Sequence, residues 1–281
     1  MISYAQNHED VVLARLFRGR DTGFYVDVGA GHPVEDSVTK HFSDAGWTGI
    51  NVEPMEREHS LLCRDRPNDV NVRAALSELI GTATLYEAPS ENRGGSTLLA
   101  EIAEQYPEGV FTPVEVPTMT LAQVCEAHVD GPIDFMKVDV EGSERSVIAG
   151  GDWNRFRPRV LVIEATRPNS CIESHDEWEH LVLDHGYRCV LFDGLNRFYA
   201  QHDDREAGDL LGRPANVLDA YEPWRWVREI EEGKEYIDSL HEQIRVSAAE
   251  TEKAVRHVEM LHEQIRALLA QARALGPRPP G

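Results

Sequence analysis

Short runs of β-branched and other apolar residues alternate with amphipathic stretches along the first part of the chain. The runs have the length of buried strands, and the first intervening stretches are long enough for crossover helices. This order predicts an α/β domain with a doubly wound sheet covered on both faces. The predicted strands are residues 24–28, 49–53, 70–76, 133–138 and 160–164, and the predicted helices between the first three are residues 35–45 and 55–66.

The pattern changes after Glu164. A helical stretch near residues 175–185 precedes two strand-like runs, residues 187–192 and 197–201, which are separated by only the turn-forming residues 193–196. Four such residues can close a hairpin but cannot carry a parallel crossover. We therefore predict a mostly parallel sheet of seven strands that ends in an antiparallel hairpin.

A long insertion, residues 81–118, separates the third and fourth predicted strands. It contains a hairpin arm over residues 82–87 and the glycine-containing loop of residues 92–96. Insertions of this size are often lids or binding loops. The sequence leaves two alternatives open, a lid over a site and a decorative insertion.

Beyond Tyr221 the composition shifts to charged helix formers, and a nine-residue pattern that starts at Ile237 returns at Val258, 21 residues later. This offset equals three heptads, which predicts a coiled-coil helix that forms a homo-oligomer. A solitary amphipathic helix is the alternative. The predicted seam is Ile237, Leu240, Ile244, Val258, Leu261, Ile265, Leu268 and Leu275, with a weak middle at Ser247, Thr251 and Ala254. The predicted domains are residues 1–220, the coiled coil 221–276 and a disordered tail 277–281.

Charge and composition exclude several functional classes. The chain has 281 residues, of which 41% are hydrophobic, and a formal net charge of −21. Such a surface repels nucleic acid and anionic lipid, so we expect neither as a partner. The four cysteines lie far apart without a C-x-x-C pair, and no run approaches the roughly 18 apolar residues of a membrane span. We expect a cytoplasmic protein without a membrane span.

The first predicted strand ends at Asp27 and is followed by Gly29 and Gly31, while Glu53 ends the second. Val34 stands where a dinucleotide loop has its third glycine, and Pro33 lacks the N–H that would bind phosphate. Bare backbone beside a carboxylate that can accept both ribose hydroxyls suits a nucleoside without phosphates. An acidic Asp27 would attract a cationic group at the other end of the ligand. S-adenosylmethionine combines these features, and we expect it as the cofactor.

These residues resemble the FkbM-type S-adenosylmethionine-dependent methyltransferases over roughly residues 1–220. The resemblance implies a Rossmann-like class I methyltransferase fold, with Gln6 and Ser37 beside the cofactor, and O-methylation of a sugar hydroxyl in a glycan, glycolipid or glycosylated natural product. It rests on Ser3–Gln6 with Glu9 and Asp10, Gly29–Pro33 with Ser37 and Thr39, Gly46 and Trp47, Asn51–Pro54, Ala75–Ser77, Val116–Thr118 with Leu121, Lys137–Gly142, Ile163–Ala165 and Phe192–Tyr199.

Methyl transfer to a hydroxyl needs a base, or a divalent cation that lowers the pKa of the hydroxyl. Asp139, Glu141 and His32 are the candidate catalytic residues. Asp139 is also a candidate cofactor residue. It lies at the end of one predicted strand and Glu164 at the end of the neighbouring one, where their carboxylates suit Mg²⁺. The similarity to related sugar O-methyltransferases supports this role as metal ligands. The alternative is that Asp139 caps the helix near Gly142 and Glu164 pairs with an arginine such as Arg167.

Two functions follow from the sequence. The first is a sugar O-methyltransferase with a carbohydrate acceptor, held near a glycosyltransferase by its coiled coil. The second is a coiled-coil scaffold or assembly protein that carries an inactive methyltransferase-like domain. Binding of S-adenosylmethionine separates them, because the scaffold predicts none.

Overall fold

A computed structural model describes residues 1–89 and 94–274. The chain forms two compact units, Met1–Trp224 and Arg225–Gly281. Asn92 and Arg93 of the predicted glycine-containing loop, Leu275 of the predicted seam and the predicted tail 277–281 lie outside the described residues. The domain boundaries drawn from composition stay a prediction.

The described elements follow the alternation of the sequence. The strands are β1 (Ile2–Ser3), β2 (Phe24–Val28), β3 (Thr48–Val52), β4 (Val70–Val72), β5 (Ala75–Leu76), β6 (Gly81–Glu87), β7 (Thr112–Met119), β8 (Phe135–Val138), β9 (Val160–Glu164), β10 (Tyr187–Phe192), β11 (Asn196–Gln201) and β12 (Glu222–Pro223). The helices are α1 (Glu9–Leu16), α2 (Lys40–Asp44), α3 (Glu56–Asp65), α4 (Ala100–Ala103), α5 (Leu121–His128), α6 (Glu144–Ala149), α7 (Glu179–Leu183), α8 (Arg205–Leu211) and α9 (Trp224–Ala274). Turns of 3₁₀ helix occupy His175–Glu177 and Val217–Asp219.

Seven strands form the main sheet in the order β10-β11-β9-β8-β2-β3-β4. The pairs from β9 to β4 are parallel, whereas β11 is antiparallel to both β9 and β10. The sheet is therefore mixed, with β11 as the reversed strand that the short predicted hairpin requires. Two buried apolar clusters cover its faces, one containing Val26, Met136 and Leu161 and the other Tyr25 and Phe135.

The prediction of one strand over residues 70–76 is wrong. The chain leaves the main sheet after Val72, and β5 pairs instead with β7 in a separate three-stranded sheet of order β5-β7-β6. Ala75 packs with Leu85 and Val116 in a small cluster of that sheet. The predicted strand, which reads VNVRAAL, is therefore divided between two sheets, and its apolar positions alone do not show that the chain passes from one sheet to the other.

The predicted helix over residues 35–45 is shortened to α2, Lys40–Asp44. Asp36 has a φ of 55°, which is left-handed and interrupts a helix. Ser37 and Thr39 use their hydroxyl groups in hydrogen bonds to the Arg66 guanidinium. These tertiary hydrogen bonds replace the backbone hydrogen bonds of a helix. The periodic spacing of apolar residues in the sequence cannot reveal them.

Helix α9 spans 51 residues and exposes the predicted seam. The exposed fractions of its apolar side chains include 52% for Ile237, 64% for Ile244 and 42% for Leu261. Self-association through this seam stays a prediction. Among residues 1–89 and 94–274, every helix is too short or too polar to cross a lipid bilayer.

Candidate active site

A pocket lies where the carboxyl ends of β2, β3 and β8 meet, because parallel strands direct their ends to the same edge of a sheet. It encloses about 1200 Å³ of empty space, including its open mouth. The loop after β2, the residue after β3 and the turn after β8 supply its principal lining, namely Gly29, Gly31, His32, Glu53, Asp139 and Glu141. The rule for strand ends thus brings six of the predicted site residues together.

Glu53 stands at the centre of one wall. Its Oε2 accepts a hydrogen bond from the Gly31 N–H at 2.8 Å, and its Oε1 accepts one from the Met55 N–H at 2.8 Å. Burial raises the pKa of the Glu53 carboxyl to about 7. Each carboxylate oxygen has a second lone pair. The carboxylate therefore retains the capacity to accept hydroxyl groups of a ligand while the two N–H groups hold it in place.

The two glycines of the loop have different reasons to be glycine. A Cβ on Gly29 would lie 1.8 Å from the Asp139 carbonyl oxygen, whereas a Cβ on Gly31 would have no atom within 4 Å. Both residues have left-handed backbone, with φ of 76° and 58°. Gly29 lets the loop after β2 lie against the chain after β8. Gly31 leaves open space in the pocket that a side chain would fill.

His32 lines the pocket, but its ring also serves the backbone. Its Nδ1 accepts hydrogen bonds from the N–H groups of Val34 and Glu35, at 3.2 and 3.0 Å. A ring nitrogen that accepts carries no proton, so the proton of the neutral ring is on Nε2. This arrangement fixes the turn after the glycine loop and weakens the case for His32 as a base.

Four carboxyl groups gather beside the pocket, on Asp139, Glu141, Glu144 and Glu164. Burial raises the pKa of Glu141, and the neighbouring charges of Asp139 and Glu144 raise it further. Burial raises the pKa of Glu164 far above its ordinary value, and the neighbouring charge of Asp139 raises it further. Glu164 also shares a hydrogen bond with Asp139. Glu141 itself has left-handed backbone, with a φ of 53°, and Thr97 Oγ1 donates to its carbonyl oxygen at 2.7 Å.

Glu164 Oε2 is buried without a hydrogen-bond partner. An orphaned carboxylate oxygen beside Asp139 fits either a shared proton or a hard cation. Among the described residues, no group of three or more His, Cys, Asp or Glu side chains is arranged to hold a metal ion. The expected pair of Mg²⁺ ligands is thus adjacent, and the cation itself stays a prediction. The alternative partner Arg167 forms an ion pair with Glu177.

Three further predicted cofactor residues are Gln6, Asp27 and Ser37. Of these, only Gln6 lines the pocket. Asp27 and Ser37 are 1% and 2% exposed and lie outside the lining. Sequence reasoning missed Lys137, whose Nζ lies 3.6 Å from Asp27 Oδ1 and 3.3 Å from Asp139 Oδ2. A lysine inside the apolar strand β8 was the available indication, because a buried cation requires a nearby anion.

Glu9, at the start of α1, gives a test of these buried acids. Burial raises its pKa from 4.5 to about 8. The folded state therefore binds more protons than the unfolded chain, so the free energy of unfolding falls as the pH rises through this interval. At about 1.4 kcal/mol per pKa unit, we expect wild type to lose a few kcal/mol that Glu9→Gln retains. Urea denaturation across the interval measures the slope, and parallel slopes for the two proteins would contradict the prediction.

The charge of the pocket matches a cationic ligand. Among the described residues that form its wall, six carry carboxyl groups and one is a lysine. This excess repels phosphate and attracts a sulfonium or ammonium group. Gly31 provides backbone with open space above it, and Glu53 provides an acceptor for ribose hydroxyls. The described residues therefore fit S-adenosylmethionine.

The mixed α/β sheet and the acidic pocket at its strand ends define the class of protein, an α/β protein with a candidate binding site at the carboxyl edge of its sheet. The chain belongs to the FkbM methyltransferase family, because the methyltransferase FkbM domain matches residues 27–189, more than half of its length. The description of this family names a methyltransferase domain.

A solved structure, the methyltransferase FkbM from Methylobacillus flagellatus KT, is similar at 14% sequence identity and a TM-score of 0.37. The match covers 67% of this chain and 47% of that one, so this chain spans about half the length of that protein. At this TM-score the similarity supports no further conclusion. No curated protein matches the chain.

Proposed function

We propose that the protein transfers the methyl group of S-adenosylmethionine to a hydroxyl group of a sugar, within a glycan, a glycolipid or a glycosylated natural product. One observation carries the proposal: a single pocket holds the open backbone at Gly31, the acceptor carboxylate of Glu53 and the carboxyl groups of Asp139 and Glu141. Resemblance to the family supports the carbohydrate acceptor. The cytoplasmic location expected from the sequence stays a prediction.

The residues of the pocket have different roles in the proposed reaction. Glu53 and the backbone at Gly31 bind the nucleoside, and the acidic wall stabilises positive charge. When bound, S-adenosylmethionine supplies an electrophilic methyl group. Glu141, with its raised pKa, receives the proton of the acceptor hydroxyl. A carboxylate with a raised pKa is a stronger base than an ordinary one, so it is better matched to an alcohol. Asp139 lies beside Glu141 and disfavours a second negative charge there.

Two measurements test the proposal. Calorimetry with S-adenosylhomocysteine should show binding to the wild-type protein, and a panel of oligosaccharides should include acceptors that gain a methyl group on oxygen. Binding without transfer to any sugar would contradict the acceptor class. Absence of binding would favour the scaffold, the second candidate, which the exposed seam of α9 supports.

A chelator added to the same assay tests Mg²⁺. The pair Asp139 and Glu164 would hold the cation, which would lower the pKa of the acceptor hydroxyl. Loss of turnover with the chelator and its return with added Mg²⁺ would support the cation. Unchanged turnover would leave the shared proton as the explanation of the Asp139–Glu164 pair.

We also propose that the seam of α9 pairs with the same seam of a second copy, and that the assembly lies beside a glycosyltransferase. The seam repeats after three heptads and exposes apolar side chains along its length. Light scattering should give a multiple of the single-chain mass for wild type. The double variant Leu261→Glu and Ile265→Glu should give a single chain, because the introduced charges oppose burial of the seam.

Met260→Glu is the matched control, since Met260 is exposed on the same helix and lies outside the seam. It should retain the mass of wild type. A wild-type protein that is monomeric at every concentration, or equal dissociation by the control, would contradict the pairing. A separate experiment tests the association with a glycosyltransferase. Deletion of residues 221–276 should alter the glycan of the producing cell.

A further inference from the structure

A chain of buried polar side chains lies beneath the glycine loop. Thr39, Asp27, Arg66 and Lys137 are 0%, 1%, 3% and 7% exposed. They come from the segment before α2, from β2, from the end of α3 and from β8. Two buried cations and a buried carboxylate are costly to remove from water, and apolar side chains of similar volume would often be as stable. The hydrogen bonds of these groups therefore indicate a purpose beyond packing.

The two cations hold opposite ends of the loop. Lys137 Nζ donates to the Gly29 carbonyl oxygen at 2.7 Å, and Arg66 Nη2 donates to the Pro33 carbonyl oxygen at 2.6 Å. Between these carbonyls lie Gly31 and His32, which face the pocket. The backbone that meets the ligand is thus fixed from below at its first and last residues.

Thr39 joins the two halves. Its hydroxyl accepts from Arg66 Nη1 at 2.5 Å and donates to Asp27 Oδ2 at 2.7 Å, while Asp27 Oδ1 lies 3.6 Å from Lys137 Nζ. Although Thr39 precedes α2, its side chain makes no capping hydrogen bond to that helix. The hydroxyl therefore serves the polar chain, and its removal leaves a carboxylate oxygen and a guanidinium N–H without their partner.

We propose that Asp27, Thr39, Arg66 and Lys137 are positioning residues that hold the segment from Gly29 to Pro33 in the conformation that binds the cofactor. Of the four, Lys137 reaches the wall of the pocket, whereas the other three act through the loop carbonyls and through one another. This inference rests on the proposed function. It also explains why Asp27 and Ser37 lie outside the pocket lining, since both would support the loop from below. Ser37 contributes through its Oγ, which accepts a hydrogen bond from Arg66 Nη2 at 2.7 Å.

The test compares Thr39→Val, which keeps the shape and removes the hydroxyl, with Thr39→Ser, which keeps the hydroxyl. Calorimetry with S-adenosylhomocysteine should show affinity about tenfold or more lower for Thr39→Val and within about twofold of wild type for Thr39→Ser. Amide hydrogen exchange without ligand should be faster in residues 29–35 of Thr39→Val, and unchanged in Thr39→Ser.

Leu211→Ala is the control for general loss of stability, because Leu211 is fully buried in α8, away from the pocket lining. It should lower the Tm and leave both the affinity and the exchange of residues 29–35 at wild-type values. Equal affinity and equal exchange in the two Thr39 variants would overturn the proposal, as would the same changes in Leu211→Ala. If wild type fails to bind S-adenosylhomocysteine, the proposed function fails, and the exchange rates still decide whether Thr39 orders the loop.

Discussion

Replacement of Gly29 by alanine should lower the free energy of unfolding by about 3–5 kcal/mol, the range of the most damaging single substitutions. The new Cβ would lie 1.8 Å from the Asp139 carbonyl oxygen, and the φ of 76° is unfavourable for alanine. Relief requires that β2 and β8 separate at their carboxyl ends, which breaks the centre of the main sheet. Urea denaturation at constant pH measures the loss, and a midpoint equal to that of wild type would refute this account of the position.

Gly31→Ala is the matched control. Its φ of 58° is also left-handed, but no atom lies within 4 Å of the added Cβ, so the expected cost is only the backbone term of roughly 1–2 kcal/mol. The methyl group instead enters the pocket. We expect Gly31→Ala to remain folded and to lose affinity for S-adenosylhomocysteine, which separates the structural glycine from the one beside the ligand.

Replacement of Glu53 by alanine should weaken binding of S-adenosylhomocysteine by about 100-fold or more, since hydrogen bonds to a charged group contribute about 1.5–3 kcal/mol each. The variant also loses the acceptor for the Gly31 N–H. Glu56→Ala is the control for net charge, because Glu56 is exposed and pairs with Arg73. It should bind within about twofold of wild type. Calorimetry measures both, and equal affinities would exclude Glu53 from the binding site.

The pH dependence of binding follows from the same carboxyl group. Its pKa of about 7 exceeds the ordinary 4.5, so Glu53 is ionised above about pH 7 and protonated below it. In the proposed site, the ionised form would accept both ribose hydroxyls and attract a positively charged group of the ligand. Affinity should therefore rise with pH up to about 7 and then level off, falling about tenfold per unit below that point. Glu53→Gln should lack this step, and a step that persists in the variant would assign it to another group.

Several strands were predictable because they are short runs rich in apolar residues, bounded by turn-forming residues. Residues 24–28, 160–164 and 187–192 form β2, β9 and β10 with the predicted limits. The reversed direction of β11 follows from the shortness of residues 193–196 alone. By contrast, the division of residues 70–76 between two sheets depends on the tertiary contact of Ala75 with Leu85. The shortening of α2 likewise depends on the hydrogen bond between Thr39 and Arg66.

The grouping of the candidate site residues was predictable as far as strand ends determine it. Gly31, Glu53, Asp139 and Glu141 meet because they follow adjacent parallel strands. The sequence does not reveal which side chains face the ligand and which face one another. Asp27 lies opposite Lys137 in the register of β2 and β8, and this pairing accounts for its charge inside the protein.

The outer strands of the main sheet have a consequence for aggregation. An edge strand with free N–H and C=O groups can add a strand from another molecule. Here β4 is only three residues long, and the register of β10 against β11 shifts between Cys189 and Leu191. A short edge and a bulged edge both oppose such addition. These two edges of the main sheet therefore oppose edge-to-edge pairing with other molecules, and aggregation of the intact protein should begin at other parts of the surface.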